Sequence, residues 1–130
     1  MDIIAFLKFS NREYKIKINT LNKVANEFSG YLPITSQAQN IGGEIYFRIS
    51  GVEIEYDGTQ NDEFKIGDVV YWRSPKGEKI FSIALFYGNT SYGNWKSPRA
   101  SGPCVKIGEI ENTEGMESIE SGESIRFVLL

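Results

Sequence analysis

Between Gly67 and Ser91 the chain reads GDVVYWRSPKGEKIFSIALFYGNTS. Large apolar residues occupy both parities of Val69–Trp72 and of Ile80–Tyr87, which predicts two strands covered on both faces and placed centrally in a sheet. Elsewhere the alternation is one-sided. In Tyr14–Ile18 the apolar residues Tyr14, Ile16 and Ile18 alternate with Lys15 and Lys17, the pattern of a half-solvated antiparallel strand. A preceding strand over Asp2–Phe9 would join it through a hairpin loop at Ser10–Glu13. In Glu44–Ile49 burial of Ile45, Phe47 and Ile49 obliges Glu44, Tyr46 and Arg48 to share the opposite surface, because strand parity is 2.

The period changes once. Leu21, Val24, Ala25 and Phe28 recur at i, i+3, i+4 and i+7, with Asn19 or Thr20 placed to cap the start and Gly30 to end it, which predicts an amphipathic helix. Tyr31–Gly43 lacks periodicity and reads as a long surface connection. Val52–Tyr56 suits a short strand, and Asp57–Glu63 a polar turn without calcium-loop spacing. Gly88–Pro103 reads as a second long loop, followed by a strand at Val105–Ile110. A short helix over Thr113–Ser121 presents Met116 and Ile119, and Ser124–Leu130 alternates as a last strand. So many antiparallel strands in a chain of 130 residues imply a sheet closed on itself, since an open one would leave long edges. The expectation is one mainly β domain, a small barrel with two helices over its open ends.

Composition narrows the chemistry. Hydrophobic residues at 41% and charged residues at 24% belong to an ordinary globular domain, and a chain of this size buries about two-thirds of its unfolded surface. The net charge of −3 argues against a partner such as nucleic acid, whose binding rests on neutralised phosphates. The chain contains no histidine, which removes the usual general base and the commonest metal ligand. No metal and no cofactor are expected. A single cysteine, Cys104, excludes an intrachain disulfide and fits a reducing, cytoplasmic setting. No run is long and apolar enough to cross a membrane as a helix.

Four segments carry a resemblance: Gly43-Glu44-Ile45-Tyr46-Phe47, Gly67-Asp68-Val69-Val70-Tyr71-Trp72, Leu85-Phe86-Tyr87-Gly88-Asn89-Thr90 and Val105-Lys106-Ile107-Gly108-Glu109-Ile110. In order and approximate spacing they resemble the small prokaryotic cyclophilin-like proteins. The resemblance implies a closed eight-stranded barrel with two helices and brings no assigned biochemical role. The chain departs from those proteins at Arg73-Ser74-Pro75, at Tyr87, which replaces a phenylalanine, at Ser91, which replaces a proline, and in the longer Tyr92–Pro103 insert. The closing stretch VKIGEIENTEGMESIESGESIRF is similar, at motif level, to the cyclophilin peptidyl-prolyl isomerases. That likeness implies Arg48 in the place of the catalytic arginine, with Phe47 where a histidine would stand. It also implies Trp95 for the loop tryptophan and Phe86 or Tyr87 for an aromatic of the proline pocket.

The candidate site is therefore Arg48 as a catalytic hydrogen-bond donor, with Tyr46, Phe86, Tyr87 and Trp95 as ligand contacts. Three functions compete. The first is a module binding a peptide or small molecule, and the second an isomerase in which Arg48 donates to the prolyl nitrogen. The third is a single-strand oligonucleotide binder stacking bases on aromatics, which the net acidity disfavours. Trp72, at the end of a buried strand, is assigned to the core. Arg73, Lys76, Lys96 and Arg99 could form a cationic rim, and Cys104 reads as a small buried hydrophobe.

Overall fold

A computed structural model describes residues 2–56, 61–74, 76–88 and 99–130. The strands are β1 (Asp2–Lys8), β2 (Glu13–Asn19), β3 (Ile34–Gln37), β4 (Gln39–Asn40), β5 (Glu44–Arg48), β6 (Asn61–Glu63), β7 (Asp68–Arg73), β8 (Phe81–Phe86), β9 (Arg99–Ile110) and β10 (Ser124–Leu129). One helix, α1 (Lys23–Ser29), lies between β2 and β3, and a 3-10 turn (Met116–Ser118) precedes β10. The sheet runs β3-β10-β1-β2-β9-β7-β8-β5-β4, antiparallel at each step.

β3 and β4 are two halves of one strand broken at Ala38. β3 pairs with β10 and β4 with β5, so the ends of the sheet meet and eight strands close into a barrel. Buried Ala38 holds the corner, donating its N–H to Glu123 O at 2.8 Å and accepting from Gly122 N at 2.7 Å. This corrects the expectation of a structureless connection over Tyr31–Gly43. The inward positions of the closing strand are Ile34, Ser36 and Ala38, too small and too polar to produce an apolar alternation in the sequence.

The inward parity of each strand fills the barrel. Leu7, Ile16, Phe47, Tyr71, Ile83 and Phe127 are all fully buried. At one end Phe28 of α1 meets Phe127 at 5.5 Å between ring centroids, and Phe127 in turn meets Phe47 at 6.2 Å. At the other end Met116 and Ile119 close the barrel, and Asn40 Nδ2 donates to the carbonyls of both. The two expected end covers are thus one α-helix and one 3-10 turn. The helix is also shorter than the periodicity predicts. Asn22, not Asn19 or Thr20, caps it by accepting from Ala25 N at 3.0 Å, and Leu21 lies 82% exposed before the first turn. β9 needs Gly108, because a Cβ there would stand 2.6 Å from Lys17 O on β2.

A second, smaller core lies outside the barrel wall. Val70, Ala84, Phe86 and Cys104 project outward from β7, β8 and β9 and are buried with Phe64, with Tyr46 and Trp72 packed at the margin. Phe64 follows β6, which pairs on β9 outside the barrel path. This outer layer covers the second face of β7 and β8, as their two-sided apolar pattern requires. Two expectations change here: Asn61–Glu63 is a strand rather than part of a turn, and β9 begins at Arg99, inside the stretch read as loop. Val52–Tyr56 is an extended strap and not a strand. Its buried Val52 and Ile54 are held by Tyr71, whose hydroxyl donates to Val52 O at 2.9 Å and accepts from Ile54 N at 3.0 Å.

Candidate functional site

The outward face of β5 presents Glu44, Tyr46 and Arg48, each opposite a residue of β8: Phe86, Ala84 and Ser82. On the far side of β8, Trp72 of β7 stands opposite Ser82. Tyr46 and Arg48 line a groove of about 710 Å³ whose other wall is Tyr31, Pro33 and the β3 residues Thr35, Ser36 and Gln37. Ser36 Oγ crosses the groove floor to donate to Arg48 O at 2.6 Å. β3 and β5 otherwise diverge, because β3 turns toward β10 beyond Ala38, and that divergence opens the groove.

Arg48 is exposed, and its guanidinium makes no ion pair or side-chain hydrogen bond among the described residues. Its five N–H donors therefore face the groove and solvent. Tyr46 is half-buried, one side of its ring against the outer core and the other in the groove. Glu44 differs from both. It is 7% exposed, and its Oε1 has no hydrogen-bond partner among the described residues. Burial pushes its pKa up to about 7, because a low-polarity surrounding disfavours the charged carboxylate. Trp72 Nε1 on the same outer wall is likewise buried without a partner among the described residues.

The remaining expected contacts are not gathered at this groove. Phe86 is fully buried, stacked on Phe64 at 5.3 Å and 12° in the outer core, so its ring surface is taken up by packing. Tyr87 turns to the barrel end, where its hydroxyl meets Asn40 Oδ1 at 2.6 Å. Trp95 and Lys96 lie outside the described residues. Trp72 is half-buried at the margin of the outer core rather than fully enclosed. Arg73 is engaged, 3.7 Å from Glu55 and 5.7 Å over the Tyr56 ring, which weakens the idea of a free cationic rim. Sequence reasoning missed Tyr31, Pro33 and the β3 wall because their segment looked like a loop. No apolar alternation marks that segment, because Ser36 and Ala38 fill its inward positions.

Among the described residues no cluster of histidine, cysteine and acidic side chains could hold a metal ion. The arrangement offers a cation, hydroxyls and amides beside two phenol rings, a chemistry of recognition. The model of the family described as cyclophilin-like matches residues 4–128. The chain belongs to the cyclophilin-like family. Its barrel is similar to the solution structure of a hypothetical protein from Archaeoglobus fulgidus, with a TM-score of 0.77 and 27% identity over 99% of this chain and 95% of that one. No curated protein matches the chain. In this cyclophilin-like barrel no helix among the described residues is long and apolar enough to cross a membrane.

Proposed function

We propose that the chain is a binding module that holds a peptide or small molecule in the groove between β3 and β5. The observation that carries this reading is the joint projection of Tyr46 and unpaired Arg48 into a groove of about 710 Å³, a size suited to a ligand held by a few polar anchors over apolar surface. Tyr31 and Tyr46 supply ring surface, and Arg48 a permanent cation. A cytoplasmic setting fits the buried single cysteine. The test is a titration of the labelled protein with proline-containing peptides and a metabolite set, followed by amide NMR. Shifts at Tyr31, Tyr46 and Arg48 that vanish in Tyr46→Ala are expected. Saturating ligand sets that leave those amides unmoved would remove the reading.

One observation favours a second reading, weak peptidyl-prolyl isomerisation: Arg48 has no competing acid in its groove. Rotation about an X-Pro bond faces a barrier of about 18–20 kcal/mol set by amide resonance. A donor on the prolyl nitrogen weakens that resonance more in the twisted state than in the ground state. A protease-coupled assay decides it. Activity above background that is lost in Arg48→Ala supports isomerisation, and full activity in that variant ends it.

A further inference from the structure

The strand register sets Lys8 of β1 directly opposite Arg126 of β10, and Arg126 directly opposite Thr35 of β3. All three point outward, since Leu7, Ile125 and Phe127 on the other parity are buried. Like charges placed directly across a strand pair destabilise it. Here the repulsion is only partly relieved: Glu13 approaches Lys8 at 3.6 Å from the far side, on β2. Arg126 has no ion pair among the described residues, and neither has Arg48 across β3. The β3–β5 groove and a neighbouring groove of about 560 Å³, which contains Lys8 and Arg126, meet at Thr35, Ser36 and Gln37. No acidic residue lines either groove among the described residues. In a chain of net charge −3 this leaves a cationic, hydroxyl-bearing strip across the outer wall of β1, β10, β3 and β5.

We propose that this strip receives an extended acidic peptide segment, anchored by Arg126 and Arg48 with Lys8 beside the first. Arg126 stands on the strand paired with β3, and Arg48 stands across the groove on β5, where Ser36 Oγ of β3 reaches Arg48 O at 2.6 Å, so the two arginines flank β3. An extended peptide projects residues two apart to the same side, about 7 Å from each other, within reach of two long arginine side chains. Hydroxyl and amide groups of Thr35 and Gln37 lie between them to meet peptide polar groups. A nucleic acid fits less well, because three cations on an acidic protein neutralise few phosphates. Arg48 is common to the strip and to the Tyr46 groove, while Lys8 and Arg126 belong to the strip alone.

The test titrates the full chain with two short peptides, one with two glutamates separated by an alanine and one with glutamines in their place. The glutamate peptide is expected to shift the amides of Thr35, Gln37 and Arg126, to bind roughly tenfold tighter than its counterpart, and to weaken as salt is raised. Arg126→Gln, an exposed change that leaves the amide spectrum folded, should weaken it roughly threefold. Equal affinity for both peptides, or absence of binding at millimolar concentration, overturns the proposal. So does tighter binding of a single-stranded oligonucleotide of equal charge. Sensitivity to Tyr46→Ala with none to Arg126→Gln overturns the strip and leaves the groove reading standing. The reverse pattern supports the strip and leaves the groove reading to its own ligand titration.

Discussion

The β7–β8 pair and the β3–β5 seam belong to the same closed barrel and differ in what lies over them. Behind β7 and β8 a second layer built on Phe64 buries Val70, Ala84 and Phe86, so an outward-facing residue there is a core residue. Over the seam nothing among the described residues covers Arg48, Thr35 or Gln37, which are exposed. Both faces consist of the same parity of neighbouring strands. The covered sector contributes stability, and the uncovered one leaves donors and rings accessible to solvent. Glu44 stands at the boundary, on the parity of Tyr46 and Arg48 but enclosed like Phe86.

The sharpest break of this contrast is Phe86→Ala. Loss of a ring stacked on Phe64 should cost about 3–5 kcal/mol, as in a barrel interior, read from the urea midpoint at constant slope. A loss under about 1 kcal/mol would mean that the outer layer is not a packed core.

Glu44 comes next. Its folded pKa of about 7 lies above the ordinary 4.5, so the native state retains a proton that the unfolded chain releases between those values. Its contribution is fully present below about pH 4.5 and is lost as pH rises through 7, by on the order of 3 kcal/mol in total. Unfolding of the wild type and of Glu44→Gln at pH 5 and pH 8 isolates this group. The wild type should lose stability relative to the variant at the higher pH, and parallel behaviour would show that Glu44 is solvated.

Tyr71→Phe probes the inner face of the covered sector. It leaves Ile54 N–H and Val52 O in the interior without the hydroxyl that joins them, at about 1–3 kcal/mol. Unfolding midpoints measure it, and faster amide exchange at Ile54 should accompany it. The smallest expected effect lies on the uncovered face: Arg48→Ala should move stability by no more than about 0.5 kcal/mol. A larger loss by thermal unfolding would show that Arg48 supports the fold.

Much of the fold was legible because alternation reports burial directly. The two-sided apolar pattern of β7 and β8, the one-sided patterns of β2, β5 and β10, and Val24, Ala25 and Phe28 of the α1 face appear where their residues predict, whereas Leu21 falls outside the helix. Parity alone set Tyr46 beside Arg48. The closing strand was not legible, since Ser36 and Ala38 fill its inward positions and carry almost no hydrophobic signal. The start of α1 was misjudged because Asn19, Thr20 and Asn22 are all competent caps, and it is Asn22 that accepts from Ala25 N in the first turn. Phe86 and Tyr87 looked equivalent from a motif. Strand parity separates them, one into the outer core and the other to the barrel end beside Asn40.

Residue order by itself determined which side chains share a strand face, and with it a barrel whose interior is apolar, because side-chain direction along a strand is a local property of the backbone. Only the tertiary structure decided which outward faces meet water. That depends on segments remote in sequence, Phe64 over Phe86 and the turn of β3 at Ala38 away from β5. Covering is a matter of where distant chain arrives, and no local pattern records it.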